Sequence, residues 1–186
     1  MRRSTCYACA AAFALAALVS SPALALDSGA PAVPAGASRV ERMLVLEEQL
    51  LSSINALRAQ HGRRPFRASP RLRAAAFAHS EQMVRVGYFE HASANGTPFW
   101  RRIQRFYPMR GYRDWTVAEN IAEGSPGLTV AGALAVWLRS PPHRANLLSR
   151  AYRDAGVGAV FATWAPGTFG GAPTLVVTLD LGRRRR

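Results

Sequence analysis

The hydrophobic period of this chain changes partway along, and that change limits what it can fold into. Up to about residue 148 the apolar residues recur at helical spacings. Then come AGVGAVFATW, residues 155–164, and PTLVVTLDLG, residues 173–182, both rich in valine, leucine and aromatic side chains. These read as strands, and the Pro/Gly-rich connection at 165–172 reads as the loop of a β-hairpin. Helices first and an antiparallel hairpin last imply an α+β domain with helices packed on a small sheet. There are no internal repeats.

The helices can be placed by their start and stop signals. In residues 41–61, Leu44, Leu46, Leu50, Leu51, Ile54 and Leu57 share a helical period, and Gly62 is a natural stop. Ser69-Pro70 pairs an N-cap with a proline at the first helical position. The stripe Leu72, Ala76, His79, Met83 and Val86 predicts a buried face, ended by Gly87. Thr97-Pro98 repeats the start signal before a short amphipathic turn at 99–106. An irregular segment, YPMRGYRDWTVAENIAEGSPG, follows, with a candidate strand in its middle. Thr129 caps a helix whose apolar side is Val130, Leu134, Trp137 and Leu138, and Ser140-Pro141 starts a last short one.

Residues 1–25 predict a cleaved secretory signal. Arg2 and Arg3 form a positive start, residues 6–19 an apolar core too short to span a bilayer comfortably, and Ala23-Leu24-Ala25 a peptidase site. The expected product is secreted or periplasmic, cut after Ala25, with no stable transmembrane anchor; Cys9 lies too early for lipid attachment. Residues 26–39 read as a linker, 40–182 as the domain and 183–186 as a basic tail. Both cysteines, Cys6 and Cys9, leave with the signal, which excludes a disulfide, a thiolate nucleophile or a cysteine metal ligand from the remaining 161 residues. A monomer is the expected state.

Every basic residue is arginine. Without the signal, 22 arginines face 11 acids, a net charge of +11. That surplus favours a lipid headgroup or an acidic envelope component as partner, although arginines spread along the chain also make an ordinary solvated surface. No nucleic-acid motif accompanies the charge, and export argues against a genomic target, so no nucleic-acid partner is expected.

Three ionisable residues occupy loop or helix-start positions: His91 in YFEHAS, Glu119 in VAENIAEG and His143 in SPPHRANLL. Pro141 and Pro142 are tolerated in a first helical turn and restrict the backbone there, so they set the angle at which His143 is presented. The succession FEH, AENIAEG, W-x-x-S-P-x-H-R-x-N-L-L and AGVG, closed by the hairpin, resembles the CAP superfamily. That superfamily groups cysteine-rich secretory proteins, antigen 5 and pathogenesis-related 1 proteins; the likeness is to its short bacterial, cysteine-free SCP-domain form. It covers roughly residues 46–181. The resemblance implies a three-layer α-β-α sandwich with a small central antiparallel sheet, and a cleft where His91, Glu119 and His143 face one another. Many eukaryotic members carry a second glutamate three residues after the tryptophan of the fourth motif, where this chain has Ser140.

Two imidazoles and a carboxylate can act in more than one way. His91 and His143, with Glu119, form a three-ligand set for zinc with an open position. Alternatively, Glu119 serves as general base toward water while a histidine supplies a proton. No H-E-x-x-H helix or G-x-S-x-G elbow is present. The expected role is a binding module whose cleft takes a lipid, a wall component or a metal. The alternative is a metal-assisted hydrolase of peptide or cell-wall bonds, with His91, Glu119 and His143 as its catalytic group. Other polar residues have plainer readings: His79 in the core, His61 at a helix C-terminus, Asn120 bonded to backbone and Ser140 as an N-cap. Trp100, Trp115, Trp137 and Trp164 are expected mostly in the core, with Trp115 able to line the cleft.

Overall fold

The structure, a computed structural model, describes residues 38–186; the expected signal segment and residues 26–37 of the expected linker lie outside the described residues. In chain order the elements are β1 (Val40–Arg42), α1 (Leu44–Gln60), β2 (Arg67–Ala68), α2 (Pro70–Val86), α3 (Phe99–Phe106), β3 (Asp114–Gly124), α4 (Val130–Arg139), α5 (Pro141–Leu148), β4 (Asp154–Ala162) and β5 (Thr174–Arg185). The hairpin read from the sequence is the antiparallel pair β4–β5, and the candidate strand is β3. Sheet order is β1-β4-β5-β3, antiparallel throughout, with two-residue β2 added parallel to the far end of β4. Among the described residues no helix is long and apolar enough to cross a membrane.

Period-two alternation along the strands sorts the core into two layers. Val177, Leu179 and Leu181 of β5 pack with Leu50 and Ile54 of α1, Trp137 of α4 and Leu147 of α5. The other face carries α2 and α3: Met83 and Val84 meet Val160 and Val176, while Leu72 and Ala75 meet Ile103 and Tyr107. The result is the three-layer α-β-α sandwich. All of these elements belong to one compact unit, Gly36–Arg186.

The AGVG motif explains how closely α2 lies on the sheet. A Cβ at Gly156 would stand 2.0 Å from the Arg73 amide nitrogen, and one at Gly158 would stand 2.1 Å from that of Phe77. Backbone therefore rests on backbone, and only glycine leaves room. Ser80 secures the contact, its hydroxyl 2.9 Å from both the Gly158 carbonyl and the Thr178 hydroxyl.

Helix ends follow the expected signals with two exceptions. Ser69 accepts from the Leu72 N–H at 3.4 Å and Thr129 from the Gly132 N–H at 3.0 Å. Ser140 sits at the N-cap of α5, but its side chain caps nothing; the two prolines that follow bring no N–H to satisfy. At α3 the N-cap is Pro98, again without a side-chain bond, so Thr97 is not the cap.

Several boundaries differ from the sequence reading. Residues 40–42 form a strand against β4, so α1 begins at Leu44. Ser38 and Arg39, read as linker, are bonded to the Trp164 carbonyl and the Thr163 backbone N–H. The arginines read as a tail from residue 183 continue β5 to Arg185, opposite Thr116, Trp115 and Asp114. Cross-strand hydrogen bonds and Asp114, 3.5 Å from Arg183 and 3.8 Å from Arg185, hold that run in the sheet. Val86 lies on the outer side of the last turn of α2 and is exposed, as are Trp100 and Trp164.

Candidate functional site

The site forms at β3, the edge strand, where groups from both faces of the sheet can meet. Alternation turns Glu119 toward α2 and α3 and its neighbour Asn120 toward α5; both are buried. Asn120 Nδ2 donates to the His143 carbonyl at 3.1 Å, and its Oδ1 accepts from Asn146 Nδ2 at 2.9 Å. Trp137 Nε1 donates to the Ile121 carbonyl at 2.9 Å. These bonds clamp α4 and α5 to the edge strand, and the prolines at the start of α5 orient its first turn. His143 is thereby brought to within 6.1 Å of His91, ring centre to ring centre. Asn120 bonds backbone, as expected, and the backbone it holds is that of His143.

Glu119 is the hub on the other side. Its Oε1 accepts from His91 Nδ1 at 2.8 Å, and its Oε2 accepts from Arg102. Arg102 also reaches the His91 carbonyl at 3.2 Å and Ser93 Oγ at 3.1 Å, so one guanidinium holds both the carboxylate and the loop that carries His91. His79 is the core histidine the sequence predicts: fully buried, its Nε2 donates to the Glu90 carbonyl at 3.0 Å. That nitrogen lies 3.9 Å from Glu119, which makes His79 a wall of the site as well. Burial foremost, and Arg102 after it, lowers the His79 pKa to about 4 against the attraction of Glu119, so the ring is neutral. His143 is also lowered, by burial and then by His91.

Asp180 of β5 stands directly opposite Glu119 in the sheet register. It is fully buried, and neither carboxylate oxygen has a hydrogen-bond donor. Burial first and the Glu119 charge second raise its pKa well above the ordinary value. Arg102, bonded to Glu119, is the cation beside these two carboxyl groups.

Arg102 and Asp180 are absent from the site read from sequence, yet each had a signal. Arg102 is an arginine on the side of α3 that buries Ile103, and Asp180 is an acid inside an apolar strand run.

This geometry does not fit zinc as the sequence reading proposed it. Both oxygens of Glu119 and the Nδ1 of His91 are already engaged, which leaves the free edges of His91 and His143 as two donors, not three. Among the described residues no group of three histidine, cysteine, aspartate or glutamate side chains is placed to hold a metal ion. Glu119 is equally unsuited to act as a base toward water, because its side chain is completely buried. The site presents outward the half-exposed imidazole of His91, oriented by Glu119, and beside it the imidazole of His143. Trp115 does not line this cleft: its indole donates to the Tyr107 carbonyl at 2.8 Å and packs on the Leu72–Tyr107 cluster. His61 caps α1, with Nδ1 donating to the Leu57 carbonyl at 3.0 Å.

Known proteins share this fold. Over 115 residues the chain is 32% identical to the uncharacterized protein YkwD of Bacillus subtilis, covering 61% of this chain and 42% of that one. It is 35% identical over 115 residues to the uncharacterized membrane protein YlbC of the same organism, covering 60% and 31%. The chain thus spans less than half the length of either curated relative. In fold it is similar to an extracellular SCP-domain protein of Bacillus anthracis, with a TM-score of 0.58, 24% identity, and 77% of this chain matched to 41% of that one. It is also similar to an outer surface protein of Borrelia burgdorferi, with a TM-score of 0.62, 18% identity, and 79% of this chain matched to all of that one. The model of the cysteine-rich secretory protein family, CAP, matches residues 51–165. With that match spanning more than half its length, the chain belongs to the CAP family.

Proposed function

We propose that this CAP domain acts outside the cytoplasm as a binding module, and that its cleft takes a polar, hydroxyl- and amide-bearing component of the cell wall. The observation that carries the reading is the commitment of Glu119: with both of its oxygens paired inside, the cleft offers a ligand the two imidazole edges rather than the Glu119 carboxylate. A neutral imidazole both donates and accepts hydrogen bonds, which suits hydroxyl and amide groups. Glu119 and Arg102 hold His91 from behind, and Asn120 holds the backbone of His143. Export is supported by the signal-like start of the chain and by the extracellular and surface positions of the two fold relatives.

One feature favours a second reading, hydrolysis. Glu119 bonded to His91 Nδ1 leaves Nε2 as a potential proton acceptor on an imidazole about half exposed, the arrangement of a general base and its orienting carboxylate. One experiment separates the two. Purified wall sacculi are incubated with wild type and with the His91→Ala/His143→Ala variant, and bound protein and released fragments are both measured. Retention that the variant loses, without released fragments, supports the binding module. Fragment release that depends on His91 moves the assignment to a hydrolase. No retention and no release sinks both.

A further inference from the structure

The outer face of α3 has no partner in the fold, and its composition is unusual. Trp100, Arg101, Gln104 and Arg105 line one exposed surface, and the Arg101 guanidinium sits 5.2 Å from the Trp100 ring. Phe106 and Met109 are also exposed on the way out of the helix, followed by exposed Arg110 and Arg113. Residues 99–113 contain no acidic side chain. The β5 arginines extend this basic segment: Arg184 lies 3.9 Å over Tyr107 and 4.5 Å over Tyr112, while the Arg113 N–H donates to the Arg185 carbonyl at 2.8 Å. Asp114, the next acid along the chain, is already shared by Arg183 and Arg185, and Asp154 accepts from the Tyr107 hydroxyl.

We infer that α3 and the loop after it, residues 99–113, dock the domain onto an anionic lipid bilayer surface. The arginines supply charge complementarity to acidic headgroups, each strengthening adherence roughly fivefold near such a surface. Exposed Trp100, Phe106 and Met109 add what a soluble polyanion does not need: apolar and amphipathic side chains that enter the headgroup region while the arginine stems lie along it. The opposite side of the same helix forms the cleft floor, since Arg102 holds Glu119 and the Phe99 ring lies 6.3 Å from that of His91. Docking through α3 therefore sets the His91 cleft beside the membrane surface. This surface is separate from the cleft contacts, so it stands or falls independently of the cleft's ligand.

The test uses the Gly36–Arg186 unit, which contains every described element, in flotation with phosphatidylcholine vesicles and with vesicles that also contain phosphatidylglycerol. Association is expected only with the anionic vesicles and is expected to fall as salt rises. Arg101→Gln/Arg105→Gln should weaken it roughly thirtyfold, and Trp100→Ser should weaken it without changing the salt dependence. These side chains are exposed, and circular dichroism checks that each variant folds. Absence of binding to anionic vesicles overturns the inference, as does binding indifferent to both variants. Equal binding to soluble polyglutamate, sensitive to the arginines but not to Trp100, would assign the face to an acidic polymer instead.

Discussion

Arg102 is the residue on which the site most depends. It neutralises a carboxylate that is itself completely buried, and it holds the backbone of the loop that presents His91. Breaking such a buried pair from one side leaves an uncompensated charge and costs about 3–5 kcal/mol. Arg102→Met should therefore destabilise the fold by that amount in urea denaturation at neutral pH; a loss below about 1 kcal/mol would mean that Glu119 simply takes up a proton. Two buried groups beside it set the pH dependence. His79, lowered to about 4 in the fold from 6.5, gains its proton first in the unfolded chain, so stability should fall as pH drops from 6.5 toward 4. Asp180 works in the other direction. Its proton is retained in the fold above the ordinary value of 3.8, so the stability it confers is full below 3.8 and lost as pH rises toward its raised folded value. Asp180→Asn mimics the protonated acid and should remove that second slope while keeping the fold, as read from melting temperature against pH. Zinc titrated calorimetrically into chelator-treated protein should find no stoichiometric site; a one-to-one site lost in His91→Ala/His143→Ala would show that Glu119 exchanges partners to ligate.

Elements carry this geometry by close approach. Helix α2 rests on the backbone of β4 because Gly156 and Gly158 have no side chains there, and from that seat it delivers His79 and Ser80 to the sheet. Gly158→Ala would drive a methyl group against the Phe77 amide. It should cost about 3 kcal/mol, the upper end of overpacking penalties. Gly62→Ala is the control: nothing lies within 4 Å, and its φ of 62° costs only about 1–2 kcal/mol. Helices α4 and α5 depend instead on hydrogen bonds to the edge strand. Asn120→Ala removes the bond to the His143 carbonyl and leaves Asn146 only its longer bond, 3.5 Å, to the Glu119 carbonyl. The expected loss is about 1–3 kcal/mol, with His143 displaced, and histidine NMR shifts should move at His143 more than at His79.

At the scale of the whole molecule, a single sheet shares its two faces with two helical layers, so neither layer has a core of its own. Chemical unfolding of Gly36–Arg186 should accordingly be one transition, with circular dichroism and tryptophan fluorescence coincident. Separate midpoints would mean that the α2–α3 layer melts apart from the α1–α4–α5 layer. On α3 the exposed part of the chain's basic surplus is accompanied by exposed apolar side chains, whereas Arg58 and Arg102 are buried.

How far the sequence reaches depends on the range of the forces involved. Helices α1, α2 and α4 and the β4–β5 hairpin were legible because periodicity, caps and glycine stops are written within a few residues of one another. The succession of motifs around His91, Glu119 and His143 likewise identified the family and three members of the site. Strands β1 and β2 left no such trace: at three and two residues they exist only because β4 offers an edge. The same holds for the last turn of α2, where Val86 has the spacing of a buried residue and no neighbour to bury it. Sequence by itself thus determined the main helices and the terminal hairpin, while the layering and the cleft shared by the two imidazoles were implied by the family resemblance its motifs carry. Only the tertiary structure decided the electrostatics, because charge state depends on burial and on partners distant in the chain. Strand pairing put Asp180 opposite Glu119, helix packing brought Arg102 onto the same carboxylate, and together they turned a candidate ligand and base into a buried support for His91.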